Sequence, residues 1–477
     1  MPWNFEYTTE SDPIMLNKTS KKTILSPHVY LLFLCLLAGS LNLWAKTSVV
    51  ASPSLWPDGS PMSEWFTDTA KVDVKTMGRQ YVITQYGVKN DPTILQTGQI
   101  QAVIDRCAEE GGGVVVVPRG TFLTGALFFR KGTHLHFDDG ATLKGIDDIR
   151  HYPLIPMHIE GQMQNYFAAL ITAHGVDGFT ITGHGTIDGN GLRFWEEFWI
   201  RRKWNQNCTN LEALRPQLVY ISESKDVTVQ DVQLVNSPFW TNHLYRCERV
   251  KYIHCHIEAP TFGDYHAPSS DGIDLDVCSD VVVRDCYVNV CDDAVALKGG
   301  KGTYVDRDST AGAVCRVLVE NCRIGNRVFS ALTFGSEAWD CHNIVLRRCR
   351  LENAERMLLF KMRSDTPQQF SDVLVERCSG TTQLSAVEAS TWSQFHNKLS
   401  RDDLPASMVS NVILRDLEIQ TSDFFKVEQK HSFSLHDFTF EDIRATDEHR
   451  RFDVDKVSGL KVRNVQLSGT SIADLGH

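Results

Sequence analysis

The sequence predicts an all-β solenoid, a right-handed single-stranded parallel β-helix over residues 81–477, on three observations. A short strand-like unit recurs, its spacing is that of a coil, and almost no helical period appears beyond residue 120. The unit is plain in Val227-Thr-Val-Gln-Asp-Val-Gln-Leu234, Val250-Lys-Tyr-Ile-His-Cys-His-Ile257, Val281-Val-Val-Arg-Asp-Cys-Tyr-Val288 and Val317-Leu-Val-Glu-Asn-Cys-Arg-Ile324. Its apolar residues alternate, as they do in a strand with one buried face. Its sixth position is Val232, Cys255, Cys286, Cys322, Cys349 and Cys378, at spacings of 23–36 residues. A period of about 20–50 residues marks repeat architectures. A propeller blade would need four strands per repeat at a steadier spacing. Handedness follows from the right-handed crossover of parallel strands.

The remaining elements fit this frame. Ile100, Val103, Ile104 and Cys107 fall on one face of a helix over 99–110, which Gly111–Gly113 ends. Such a helix caps the open end of a solenoid and covers its strand edges. The insertion Asn190–Pro216, with Trp195, Trp199 and Trp204, is expected to be a loop walling a groove. Length alone would suggest about three domains, but a solenoid grows along one axis without splitting. Residues 46–80, with Pro53, Pro57 and Pro61, read as a lead-in.

Composition narrows the function. The net charge of -11 and the lack of a basic run argue against a nucleic-acid partner. Thirteen cysteines without a CxxC pair argue against a zinc site. The cysteines of the sixth position read as small core residues stacked coil on coil. Lys18, Lys21 and Lys22, the apolar run Val29–Leu37 and then Ala38-Gly-Ser40 have the grammar of a signal peptide over residues 1–45. The run is short for a membrane span. The expectation is therefore a secreted or periplasmic protein with no stable membrane insertion, and a monomer.

The densest cluster of reactive side chains is Ser269-Ser-Asp-Gly-Ile-Asp-Leu-Asp276, followed by Cys291-Asp-Asp-Ala-Val-Ala-Leu-Lys298. Asp271 and Asp292 are 21 residues apart, about one short coil. Stacked strands lie about 4.8 Å apart, so Asp271 is expected directly beside Asp292, with Asp293 next to it. Carboxyls packed this closely repel, and one should hold a proton near neutral pH. Glycoside hydrolysis needs that arrangement: an acid to protonate the leaving oxygen and a carboxylate to activate water. Asp274 and Asp276 read as solvated neighbours.

These motifs resemble glycoside hydrolase family 28, the polygalacturonases and rhamnogalacturonan hydrolases. Tyr86-Gly-Val-Lys89, Gly111-Gly-Gly113, Pro118-Arg-Gly-Thr121 and Gly140-Ala-Thr-Leu143 resemble the start of such β-helices. Gly185-Thr-Ile-Asp-Gly-Asn-Gly191, Asn236-Ser-Pro-Phe-Trp240, Ser269-Ser-Asp-Gly272 and Asp292-Asp293 are more specific to the family. The resemblance implies a pectic polysaccharide or oligosaccharide as substrate and inversion at the anomeric carbon. It makes Asp292 the general acid and gives Asp271 and Asp293 the water. Neither a cofactor nor a metal enters this reading. Two departures stand out. Phe329-Ser-Ala331 occupies the place of the family's Gly-His-Gly, and Leu359 stands where its Arg-Ile-Lys would begin, with Lys361 matching the Lys.

Lys298, Lys361, Arg356, Arg363, His243, His266 and Trp240 are the candidate substrate-binding residues, and Trp339 is a second candidate platform for a sugar ring. His184, between two glycines, fits a turn as well as a site. Two other readings remain open from the residues. A polysaccharide lyase on the same fold would use Ca²⁺ and a basic residue, and a non-catalytic β-helix would bind carbohydrate only.

Overall fold

In the computed structural model, residues 55–394, 396 and 399–476 are described. The signal-peptide segment and the first part of the lead-in lie outside them. The chain forms a parallel β-helix in which almost every strand pairs with the strand one coil before and one coil after. Three stacks of strands run along it. One carries the recurring unit, through Lys225–Gln230, Glu248–Ile253, Ser279–Arg284, Val314–Glu320 and Asp340–Arg347. A second follows each corner, through Gln233–Val235, His256–Glu258 and Tyr287–Asn289. The third runs through Val219–Ser222, Asn242–Tyr245, Ile273–Asp276, Asp293–Lys298 and Ser330–Phe334.

The repeating unit now has a physical explanation. Its fifth residue turns the corner between the first two stacks with a left-handed backbone: Asp231, His254, Asp285, Asn321, Arg348 and Arg377 all have φ of 51–63°. Asn and Asp tolerate that conformation better than most residues. The sixth residue then points inward. Cys255, Cys286, Cys322, Cys349 and Cys378 are buried free thiols, each donating to a backbone carbonyl. They are a core ladder, as expected, and no disulfide occurs among the described residues.

The helix Thr97–Glu109 packs on the strands Gly113–Val117 and Leu127–Phe129 through Ile100, Val103, Ile104 and Cys107, so the N-terminal cap is present. The lead-in is a strap along the outside of the first stack. Trp56 and Phe66 bury against Val282, Leu318, Val345 and Leu374. Lys251 bonds Asp68 at 2.9 Å and Asn343 bonds Asp58 at 2.8 Å.

The insertion Asn190–Pro216 is not the loop expected of it. Leu192–Trp204 is a helix, buried through Phe194, Trp195 and Phe198. An antiparallel hairpin, Leu154–Ile159 with Gln162–Phe167, also departs from the coil. Both arise from insertions that leave the solenoid, so they obey no coil period. Trp195 Nε1 donates to Ser237 O at 3.1 Å and Trp199 Nε1 to His266 O at 2.7 Å. The helix is thereby fastened at the edge of the third stack.

Candidate active site

The third stack alternates along most of its length. Leu244, Ile273, Leu275, Val295, Leu297, Leu332 and Phe334 point into the core. The opposite face carries His243, Tyr245, Asp274, Asp276, Lys298 and Thr333, and the hairpin and inserted loops cover it. The three aspartates lie where this stack begins. Ile273 pairs with Val295, so the register continued back by two residues sets Asp271 opposite Asp293 rather than Asp292. The bond from Gly272 N to Asp293 O at 2.8 Å agrees. The 21-residue spacing therefore misjudges the coil by one residue. Gly272 is required here, since a Cβ would lie 2.6 Å from Ala294 O on the next coil. Asp292 is the half-buried residue of the three and faces a cleft of about 300 Å³. Carboxylate oxygens of Asp271, Asp292 and Asp293 come within 4.8 Å of one another, so the expected cluster forms.

Their environments differ. Asp293 Oδ1 accepts from Thr333 Oγ1 at 2.6 Å, and Oδ2 accepts from Lys361 Nζ at 2.7 Å. Asp271 lies 3.6 Å from Lys298 Nζ. Burial raises its pKa, Lys298 opposes the rise, and Asp293 adds to it. Asp292 has no ammonium at ion-pair distance among the described residues. Burial, then the charges of Asp271 and Asp293, drive its pKa well above the ordinary carboxylate range. Of the three, Asp292 is thus the carboxyl whose charged form the site opposes most.

Lys298, Lys361, Trp240 and His266 line the same cleft, as expected. Lys298 lies 4.4 Å from the centre of the Trp240 ring. Three of the other candidates are corrected. His243 is fully buried between Gln217 and Asp276, and its ring abuts the edge of Trp240 at 4.9 Å; it supports the cleft from behind. Arg363 is fully buried and binds Asp365 in a fork, with both contacts at 2.8 Å. Arg356 is held by Glu388 and Glu355 behind the ring of Phe329 and does not line the cleft. Trp339 does not line it either. His184 sits at an exposed turn, 3.1 Å from Asp139.

Asp274 and Asp276 are not solvated. Asp274 is fully buried 3.3 Å from Lys298, and burial and Asp271 push its pKa far up. Asp276 accepts from His158 at 2.6 Å and from His243 at 3.2 Å. Burial pushes its pKa up, but the two imidazoles outweigh burial and bring it down to about 2. His158 lies on the hairpin, so this contact pins the hairpin to the solenoid. Cleft residues without a signal in the sequence include Glu160 at the hairpin tip, Glu337 and Trp392. Phe329 stood at a noted position, in the segment that replaces Gly-His-Gly.

The sequence profile of glycosyl hydrolases family 28 matches residues 107–376, more than half of the chain. The chain belongs to this family. Among curated family 28 relatives, a probable polygalacturonase of Vitis vinifera is 29% identical over 231 residues, covering 46% of this chain and 45% of that protein. An endo-polygalacturonase of Pectobacterium carotovorum subsp. carotovorum is 26% identical over 258 residues, 52% of this chain and 60% of that protein. The chain thus spans about half the length of the curated relatives it matches. An exopolygalacturonase of Thermotoga maritima superposes with a TM-score of 0.69 at 21% identity, covering 83% of this chain and 93% of that one. The polygalacturonase of Erwinia carotovora superposes at 0.62 with 18% identity, over 84% and 100%. These likenesses show the β-helix fold. No helix among the described residues is long and apolar enough to cross a membrane.

Proposed function

We propose that this family 28 chain is an exported glycosidase that hydrolyses glycosidic bonds of pectic polysaccharide with inversion. The observation that carries the reading is Asp292, its charged form opposed by burial and by its neighbours, set within 4.8 Å of two carboxyls held by lysines, in an open cleft. Asp292 protonates the leaving oxygen. Asp271 and Asp293 hold and deprotonate the attacking water. Inverting pairs usually stand about 6.5–9.5 Å apart to admit water, wider than the nearest oxygens here. A water donating to two carboxylate oxygens at about 2.8 Å each needs less room than that. In this reading the water lies against Asp271 and Asp293, beside the acid rather than between acid and base. The similar proteins named polygalacturonases support the substrate class, and the basic, apolar and small-residue order of the N-terminus supports export.

The lyase reading would place a divalent cation on the same three carboxylates. Lys361 at 2.7 Å and Lys298 at 3.6 Å already neutralise two of them, which disfavours that reading. Proton NMR of the first products from pectic oligosaccharides tests the proposal. An α-linked substrate should release the β-anomer first, with chelator present or absent. Release of the α-anomer would replace single displacement with a covalent intermediate.

A further inference from the structure

We propose that the sugar bound beside the three aspartates is uncharged, and that Glu160 and Glu337 select it by accepting its hydroxyls. The two glutamates form a second carboxyl pair in the same cleft. Glu160 is 8% exposed at the hairpin tip. One of its oxygens accepts from Asn210 Nδ2 at 3.2 Å, and the other has no donor among the described residues. Glu337 is 5% exposed; Oε1 accepts from Ser336 Oγ at 2.5 Å, and Oε2 lies 3.6 Å from Lys298. Each keeps acceptor capacity directed at the cleft, and a carboxylate accepts hydroxyl protons in short, strong bonds.

The two lysines of the cleft are already committed. Lys298 is shared by Asp271, Asp274 and Glu337 at 3.3–3.6 Å, so its one charge faces three carboxyls. Lys361 donates to Asp293. Lys301, which lines the adjoining cavity, offsets part of the charge of Glu160 and Glu337. Arg202, stacked 5.0 Å over Phe198 and in no ion pair among the described residues, is the third basic side chain of the described lining. A uronate carboxylate entering this subsite adds negative charge beside Asp271, Glu160 and Glu337. Arg356 and Arg363 offer it no guanidinium fork, since they are spent on Glu388 and Asp365. A neutral sugar instead offers hydroxyl donors to the glutamates and its apolar face to Trp199, Trp240 or Trp392, which line the cleft.

The choice of bond rests on the hydrolase reading, but the sugar preference can be measured by binding alone. The Asp292→Asn chain is titrated with methyl α-L-rhamnopyranoside, methyl α-D-galactopyranoside and methyl α-D-galactopyranosiduronate, following quenching of the cleft tryptophans. At least one neutral glycoside should bind about tenfold or more tighter than the uronide, as the gain and loss of charged hydrogen bonds implies. Adding Glu160→Gln, which keeps the shape and removes the charge, should narrow that preference from both sides. A uronide that binds as tightly as the neutral glycosides, no binding of either neutral glycoside, or a preference unmoved by Glu160→Gln would each overturn the proposal. The anomeric experiment on the unaltered chain can fail without any of these, and these without it.

Discussion

Asp292→Asn should lower the turnover of pectic oligosaccharides by about a thousandfold, within the usual range for loss of a general acid. Affinity for the oligosaccharide should survive, because the amide keeps the size of the side chain and its place in the cleft. Thermal stability should hold or rise. Asp292 is the member of the trio without a lysine at ion-pair distance among the described residues, and Asp271 and Asp293 both oppose its charged form, which the neutral amide cannot take. Few explanations other than a catalytic role combine lost turnover with undiminished stability. Steady-state kinetics and thermal denaturation on the same preparation give both readouts. Turnover within tenfold of the unaltered chain would remove Asp292 from the acid's role.

Lys298→Met should have the opposite signature, a large loss of stability as well as of activity. Its side chain is 5% exposed, and the carboxyls around it are 0–7% exposed. Burial lowers the lysine's affinity for its proton, but Asp274, Asp271 and Glu337 more than restore it, so the ammonium is secure at neutral pH. Removing one partner of a buried ion pair typically costs about 3–5 kcal/mol, because the charges left behind have no solvent and no counterion. The loss should be greatest above neutrality and shrink as the pH falls, since protonation of the stranded carboxyls relieves the same penalty. Urea denaturation at pH 8 and pH 4 measures it. A loss that grew toward acid would mean that Lys298 does not compensate these carboxyls.

Much of the fold was legible because the solenoid writes its period into the chain. The alternation in Val281–Val283, the corner at Asp285 and the inward Cys286 recur because every coil solves the same packing problem. The aspartate cluster was legible for the same reason, to within the single residue by which the ladder pairs Asp271 with Asp293. What departs from the coil was not. The helix Leu192–Trp204 and the hairpin that carries Glu160 are insertions, and their contacts bridge long stretches of chain. His158 meets Asp276 across 118 residues. Those coverings decide which outward-facing residues meet solvent. They turn Asp274, Asp276 and His243 from open positions into buried ones, and no local pattern announces a cover that comes from elsewhere. Arg363 illustrates a second limit: its partner Asp365 is two residues away, but only the fold shows that the pair is interior.

The account's central claim is that three carboxyls on adjoining coils add water across one sugar linkage. Digestion of pectic oligosaccharides in H₂¹⁸O, followed by mass spectrometry of the products, tests it most directly. The account predicts saturated products that carry one ¹⁸O at each new reducing end. Products lighter by one water, with an unsaturated end and no ¹⁸O, would contradict it.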